Sequence, residues 1–235
     1  MLKKAKRGNP EADIQRSIVR LLWQIIAPGS VLHHSANEMR ADAYFTPPEA
    51  VLPLVDHLQP GARFIEPMAG DGAIIRALEG VAVCIAAFDI APQSDWVGIG
   101  DAMELDAATV AHIRADLFIT NTPYPRGGSN GEPTITMIEH LSGILPTWCL
   151  LPHDFFANRY FARLSARCVK IVPIGRVSWM GNGKGGTENS AWALFAAGHS
   201  GPTEYCPRLP ICRSATDASH SQSSKSTRKL REGYV

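Results

Sequence analysis

Short apolar runs alternate with helical segments from residue 44 onward, and this alternation limits the possible folds more than any other feature. Seven runs have the length and character of strands: Arg63–Glu66, Val81–Phe88, Trp96–Ile99, Leu117–Thr120, Thr147–Leu151, Val169–Ile174 and Ala191–Ala196. Helical segments between most of them are predicted at residues 48–58, 73–78, 107–114, 134–145 and 155–166. Strands linked through helices form a mainly parallel sheet. A glycine-rich loop joins the last two strands, which predicts an antiparallel edge hairpin. We therefore expect an α/β fold: a seven-stranded, mostly parallel sheet with helices on both faces.

Charge and composition divide the chain of 235 residues into three parts. Residues 1–40 are predicted to be a basic arm followed by an amphipathic helix over 11–26, and residues 41–200 the α/β domain. Residues 201–235 are rich in Ser, Thr, Lys and Arg and are predicted to be a disordered tail. The net charge is +1, with +4 in residues 1–10 and +3 in residues 213–235, which leaves −6 between them. Basic ends on an acidic body either contact phosphates or simply keep the protein in solution.

The composition also limits the expected cellular location and the kinds of cysteine site. No window approaches the 18 apolar residues of a membrane-spanning helix, and no apolar segment of a secretory signal follows the basic start. The five cysteines are widely spaced, without a C-x-x-C pair, so neither a disulfide framework nor a metal site is indicated. We expect a cytoplasmic protein whose cysteines are mostly buried apolar residues.

A glycine-rich turn follows the first predicted strand. The string Glu66-Pro-Met-Ala-Gly-Asp-Gly72 connects that strand to a helix, and Gly70 and Gly72 allow the backbone to approach a ligand closely. Two further acids stand at the ends of the next strands, Asp89 before Ile90 and Asp101 before Ala102. A carboxylate at a strand end can accept hydrogen bonds from a pair of hydroxyls or from an amino group. Each acid alone is equally consistent with a helix cap, so their order along the chain carries the prediction.

The segment Asn121-Thr-Pro-Tyr124 follows the fourth predicted strand. It places an amide, a rigid turn and an aromatic ring at the carboxyl end of a strand, where ligands bind in open α/β sheets. Pro123 restricts Thr122 to extended geometry and so orients the carbonyl of Thr122.

These motifs together resemble the S-adenosylmethionine-dependent DNA adenine-N6 methyltransferases, which have a Rossmann-like fold. Residues 66–72 look like the family's Glu-Pro-Ser-Ala-Gly-x-Gly motif with Met68 in place of serine, and residues 121–124 look like Asn-Pro-Pro-Tyr with Thr122 in place of the first proline. The order of the motifs resembles the γ subclass, and the small size suggests a phage or prophage type. The resemblance implies S-adenosylmethionine as the cofactor.

The resemblance also implies roles for individual residues. Glu66 would bind the amino acid part of the cofactor, Asp89 the ribose and Asp101 the adenine amino group. Further residues at the same motifs are expected to line the cofactor site: Pro67, Ala69, Gly70, Gly72, Ile90, Ala102 and Asn121. The string Ala43-Tyr44-Phe45-Thr46-Pro47 is similar to another family motif, in which Tyr44 and Phe45 cover the cofactor and Thr46 bonds its carboxylate; the alternative for Thr46 is a helix N-cap.

The catalytic group implied by the resemblance is Asn121, Thr122, Pro123 and Tyr124. An adenine amino group is a weak nucleophile because its lone pair is delocalised into the ring. Two acceptors, the Asn121 amide oxygen and the Thr122 carbonyl, would bind its hydrogens and free the lone pair, while Tyr124 stacks on a base that has left the helix. Asn121 is not a general base, because an amide does not take up a proton at neutral pH.

The chain leaves little room for the separate recognition domain that γ-type enzymes carry. Recognition of a DNA duplex is therefore expected from loops, tails or a partner, with candidate nucleic-acid contacts at Arg126, Phe155, Phe156, Arg176, Trp179 and Lys184. Burial in the core is the alternative for Phe155 and Phe156.

Alternative functions stay open at this point. The acceptor can instead be RNA adenine or a protein glutamine amide, and Thr122 leaves room for an inactive module that binds nucleic acid. Residues 10–40 faintly resemble the start of a VRR-NUC nuclease domain.

Overall fold

The structure is a computed structural model, and it describes residues 45–123, 131–179 and 184–208. The predictions for residues 1–44, including Tyr44, lie outside the described residues. The same holds for Tyr124, Arg126 and the part of the tail after Arg208. None of the described helices is long and apolar enough to cross a membrane.

The described chain contains one eight-stranded, mostly parallel sheet in the order β3-β2-β1-β4-β5-β7-β6-β8. The strands are β1 Arg63–Glu66, β2 Val83–Asp89, β3 Gly98–Ile99, β4 Leu117–Asn121, β5 Thr147–Pro152, β6 Cys168–Arg176, β7 Asn189–Phe195 and β8 Glu204–Tyr205. β1 to β5 run parallel, β7 lies antiparallel between β5 and β6, and β8 is parallel to β6.

Two sequence-based predictions about the sheet are corrected by β8. The strand count is eight, not seven, and the β6–β7 hairpin does not form the edge because β8 pairs outside β6. Residues 204–205, predicted to lie in a disordered tail, belong to the sheet. A strand of two residues that are both exposed carries no apolar alternation, so strand periodicity did not indicate it.

Helices cover both faces of the sheet, as predicted. They are α1 Pro48–Val55, α2 Ala73–Ala77, α3 Ala107–Ile113, α4 Glu132–Ile144 and α5 Ala162–Ser165. Side chains alternate between the faces along each strand. In β1, Phe64 packs in the cluster that contains α1 and α2, whereas the next residue, Ile65, packs in the cluster that contains α3. The other end of the second face is filled by α4, α5 and aromatic side chains after β5.

The segment after β5 differs from its prediction. A single helix over 155–166 was expected, but the chain forms two 3-10 turns, His153–Ala157 and Arg159–Phe161, before the four-residue α5. Aromatic rings of these turns pack against one another with centroids 5.2 to 6.1 Å apart: Phe155, Phe156, Tyr160 and Phe161. Packing of these bulky side chains outweighs the weak helical pattern of the segment.

Two long-range hydrogen bonds hold α1 against the carboxyl-terminal strands. The indole Nε1 of Trp192 donates to the Ala50 carbonyl at 2.7 Å, across 142 positions of sequence. The Ser178 amide donates to the Glu49 carboxylate at 2.8 Å. Both Ala50 and Trp192 are fully buried, so α1 is part of the core rather than an appendage.

Candidate functional site

The carboxyl ends of the parallel strands lie side by side, and the predicted polar residues lie along this line. From here on, 'edge' means this row of strand ends and not an outer strand of the sheet. Chain order runs outward from β1 to β3 on one side, then returns to β4 and β5 on the other. Glu66 ends β1 and Asn121 ends β4, so they flank the point where the strand order reverses. Ligands bind at such a switch point in open α/β sheets.

The glycine-rich turn is held by the end of β2. The Gly70 amide donates to Asp89 Oδ2 at 2.9 Å, and the Ala91 amide donates to Asp89 Oδ1 at 2.8 Å. The Gln93 amide donates to the Gly70 carbonyl at 2.9 Å. Asp89, predicted to bind hydroxyls, therefore also shapes the turn. Each carboxylate oxygen has a second lone pair, which leaves acceptor capacity for a diol.

Gly70 leaves open space beside the turn. Its φ is +53°, and a Cβ placed on it would meet no atom within 4 Å. A ligand can therefore approach the backbone here without steric hindrance. Pro67 and Ala69 of the same turn are buried.

Gly72 is instead covered by the Trp96 ring. Its φ is +80°, and a Cβ there would overlap Cη2 and Cζ2 of Trp96. Gly72→Ala is expected to destabilise the fold by about 2–5 kcal/mol, from left-handed strain plus overpacking. A chain of this size would then lose roughly 5–15 °C in Tm. Thermal unfolding followed by circular dichroism measures this.

The matched control for Gly72→Ala is Gly80→Ala. Gly80 has φ +81° but open space around its Cβ position, so that variant carries the backbone strain without the overlap. It should cost about 1–2 kcal/mol. An equal loss of Tm in both variants would show that overlap of the new Cβ with the Trp96 ring adds nothing to the destabilisation.

Glu66 is a buried carboxyl with spare acceptor capacity. Its side chain is 2% exposed, and Oε2 has no hydrogen-bond partner in the described part of the chain. Burial raises the pKa of Glu66 well above its ordinary value, and the nearby charges of Asp89 and Asp71 raise it further. A buried acceptor of this kind is costly unless a ligand satisfies it.

Asn121 also holds a buried amide oxygen without a partner. Its Nδ2 donates to Thr46 Oγ1 at 3.1 Å, while Oδ1 has no hydrogen-bond partner among the described residues. Thr46 was expected to cap α1 or to bind a cofactor carboxylate. The N-cap is Pro47, without a side-chain cap, so the helix-cap alternative for Thr46 is wrong. As acceptor of the Asn121 amide, the Thr46 hydroxyl keeps its own hydrogen for a further acceptor. Phe45 is 51% exposed beside this pair, a position compatible with covering a ligand.

Thr122, the departure from the family motif, is accommodated by the fold. Its side chain is 3% exposed, and the hydroxyl donates to the Leu150 carbonyl at 3.5 Å, a long hydrogen bond. The Thr134 hydroxyl of α4 donates to the Pro123 carbonyl at 2.8 Å. The backbone after Asn121 is therefore anchored at two points.

At the end of β3, Asp101 caps a 3-10 turn. Its Oδ1 accepts from the Met103 amide at 2.9 Å, in agreement with the helix-cap alternative. Ala102 is buried, and Ile90 is half-buried beyond Asp89. Asp101 keeps a second carboxylate oxygen, so the capping role and the predicted ligand role are compatible.

The predicted base-stacking pair after β5 divides into a core residue and a surface residue. Phe155 is 2% exposed in the core cluster with Leu151 and Phe195, so the prediction that it stacks on a base is wrong. Packing against α5 and β7 buries Phe155. Phe156 is half-buried and remains a candidate.

The remaining predicted contacts lie at or near the end of β6. Arg176 ends that strand and is exposed, as is Lys184 in the loop to β7. Trp179 is partly buried and packs against the core on the α1 face. A Cβ placed on Gly186 would lie 3.3 Å from Cδ1 of the Trp179 ring. Trp179 therefore has a structural role that the sequence did not indicate.

Sequence analysis missed three side chains near this edge: His153, Tyr205 and Arg208. The Nε2 of His153 lies 2.7 Å from the Tyr205 hydroxyl. Tyr205 and Arg208 fall in the segment predicted to be disordered. The short apolar interruption Tyr205-Cys206 within a polar tail is the one signal that could have indicated order there.

No known protein family and no curated protein matches the sequence. Several solved structures share part of the strand–helix arrangement. A chain of a type I restriction–modification system is 15% identical with a TM-score of 0.44; the match covers 71% of this chain and 45% of that one. A putative class I S-adenosylmethionine-dependent methyltransferase from Listeria monocytogenes is 12% identical with a TM-score of 0.40, over 91% and 78% of the two chains. A putative RNA methyltransferase from Pyrococcus horikoshii is 12% identical with a TM-score of 0.47, over 78% and 98%. We draw no functional conclusion from these likenesses.

Proposed function

We propose that this chain transfers a methyl group from S-adenosylmethionine to the N6 amino group of adenine in DNA. The observation that carries the proposal is the buried amide oxygen of Asn121 at the end of β4, which has no hydrogen-bond partner among the described residues. The order of the sequence motifs supports it, as does a second buried acceptor without a described partner, on Glu66 at the end of the adjacent β1.

In the proposed reaction, Asn121 Oδ1 and the Thr122 carbonyl each accept a hydrogen bond from the target amino group. These two bonds favour a tetrahedral geometry at the amino nitrogen. In that geometry the lone pair is no longer delocalised into the ring, so the nitrogen becomes nucleophilic. S-adenosylmethionine, when bound, would supply the electrophilic methyl group: the N–C bond forms as the S–CH3 bond breaks, and the sulfur keeps that electron pair and leaves as the thioether S-adenosylhomocysteine. The extra proton leaves for water after transfer, because neither acceptor is a base at neutral pH. Positioning by the anchored backbone supplies most of the rate acceleration.

The proposed cofactor site uses residues along the same edge. Glu66 binds the ammonium group, Gly70 lets the ligand approach the backbone, and Asp89 receives the ribose hydroxyls. Asp101 and Ile90 hold the adenine ring, and Phe45 covers the site. Thr46 accepts from Asn121 and can donate its own hydroxyl hydrogen to the cofactor carboxylate.

Transfer of label from tritiated S-adenosylmethionine tests the proposal. Duplex DNA, RNA and a protein extract are incubated separately with the protein, and the digested products are separated to identify the labelled species. Label in N6-methyladenine from DNA is the expected result. Label only in RNA, or only in a protein amide, would replace the proposed acceptor. Cofactor binding by calorimetry without transfer to any acceptor would indicate an inactive binding module.

A further inference from the structure

The segment 204–208 brings an exposed aromatic ring to the turn that follows β5. Tyr205 is 58% exposed, and its hydroxyl shares a hydrogen bond with His153 Nε2 at 2.7 Å. The His153 ring makes edge-on contacts with Tyr205 and with Phe156, with centroids 6.1 and 5.9 Å apart. These contacts fix the Tyr205 ring without burying it. A fixed, exposed ring loses little side-chain entropy when a flat ligand stacks on it.

The same segment brings a cation to the end of β6. The guanidinium carbon of Arg208 lies 2.5 Å from the position that a Cβ on Gly175 would take. Gly175 has φ +81°, so glycine is needed here both for the backbone and for the space that Arg208 fills. Arg176 is the next residue, and both arginines are exposed. Within residues 45–123, 131–179 and 184–208, neither has a carboxylate partner. Exposed guanidinium groups without a carboxylate partner among the described residues favour bound phosphates.

Both features lie toward the edge of the sheet that carries Asn121. β6 runs in the same direction as β5, since both are antiparallel to β7, so Arg176 ends at the edge where β4 and β5 end. Tyr205 and Arg208 are three residues apart, which is about 10 Å in extended chain. Stacked nucleotides rise about 3.4 Å each, so a stretch of roughly three nucleotides spans the two side chains.

We propose that the Tyr205 ring, held by His153, stacks on an unpaired base of the strand that carries the target adenine, while Arg176 and Arg208 bind phosphates of the same strand. The ligand is thus a single strand of nucleic acid, and the segment 204–208 supplies part of the recognition surface. This inference rests on the proposed function, because it treats the strand as the one that carries the methylated base.

Binding of a labelled oligonucleotide tests the inference independently of methyl transfer. Fluorescence anisotropy is measured with an adenine-containing 20-mer as single-stranded DNA and as RNA of the same sequence, at several salt concentrations. Arg208→Gln is expected to raise Kd about five- to ten-fold. It should also make the plot of the log association constant against log salt concentration less steep, by about 0.7, which is the contribution of one phosphate contact to a single strand.

Two variants separate stacking from the hydrogen bond to His153. Tyr205→Ala removes the ring and is expected to raise Kd five-fold or more. Tyr205→Phe keeps the ring and loses only the hydroxyl, so Kd should rise less than three-fold. Cofactor affinity, measured by calorimetry in each variant, should stay at the wild-type value and shows that the fold is intact.

Arg114→Gln is the matched control, since Arg114 is also exposed but lies before β4, at the opposite edge of the sheet. The inference is overturned if Arg208→Gln and Arg114→Gln give the same Kd and the same salt slope. The proposed function fails in a different way, by absence of methyl transfer from the wild-type protein. In that case the binding comparison still decides whether this surface holds a strand.

Discussion

Asn121→Ala is expected to lower kcat for methyl transfer by roughly 10²- to 10³-fold, the size of effect that follows removal of one preorganised hydrogen-bonding group from a catalytic site. The alanine lacks the amide oxygen that would accept a hydrogen bond from the target amine. The free energy of unfolding should change little, because that oxygen has no partner in the described structure and only the bond to Thr46 is lost, about 1 kcal/mol. Single-turnover transfer with tritiated cofactor measures the rate, and calorimetry measures cofactor affinity.

Thr120→Val is the matched control for Asn121→Ala. Thr120 is the preceding residue of β4, is fully buried, and also carries an oxygen without a described partner. Its side chain points to the other face of the sheet. The valine is nearly isosteric and removes an unsatisfied hydroxyl, so transfer should stay within about three-fold and stability should hold or rise. If Asn121→Ala keeps more than half of the wild-type kcat, Asn121 is not the catalytic acceptor.

Glu66→Gln is expected to weaken cofactor binding about ten-fold or more at pH 8 and to remove most of its pH dependence. In the wild-type protein the buried carboxyl is protonated over a range where an exposed one is ionised, since burial and the charges of Asp89 and Asp71 raise its pKa. Pairing with an ammonium group favours the ionised form, so binding releases a proton. Affinity should therefore rise with pH, by up to ten-fold per unit, until the raised pKa is reached.

The same substitution should stabilise the cofactor-free protein at neutral pH. A carboxyl with a raised pKa binds more protons in the folded chain than in the unfolded chain, so the free energy of unfolding falls as pH rises above the ordinary value of 4.5. Glutamine at position 66 does not ionise, so this fall should be smaller in the variant. Glu104→Gln, which changes an exposed carboxylate near Asp101, should behave as the wild type does. Equal pH slopes for cofactor binding in wild type and Glu66→Gln would contradict the assignment.

Local sequence patterns predicted most of the sheet and the backbone positions of the site. Apolar runs bounded by glycine and acids indicated where β1, β2, β4 and β5 end, and therefore placed Glu66, Asp89 and Asn121 on one edge. Such patterns act over a few residues, where alternation and turn chemistry determine structure.

The parts that the sequence did not predict depend on contacts between distant residues. Whether Thr46 caps a helix or bonds to Asn121 is decided 75 positions further along the chain. Phe155 and Phe156 are chemically alike, and only the packing of α5 and β7 decides that Phe155 is buried. The order of residues 204–205 comes from pairing with β6, which two exposed residues do not reveal.

The hydrogen bonds of α1 have a consequence for how the protein folds during synthesis. Glu49 and Ala50 are synthesised early, but they form hydrogen bonds with Ser178 and Trp192, which are synthesised much later. Thr46 likewise bonds to Asn121, 75 positions further along the chain. Contacts of such long sequence separation form late because loop closure must come first. The proposed catalytic amide is therefore oriented only once nearly the whole sheet has assembled. A nascent chain stalled before Trp192 should carry the glycine-rich turn but lack a completed site.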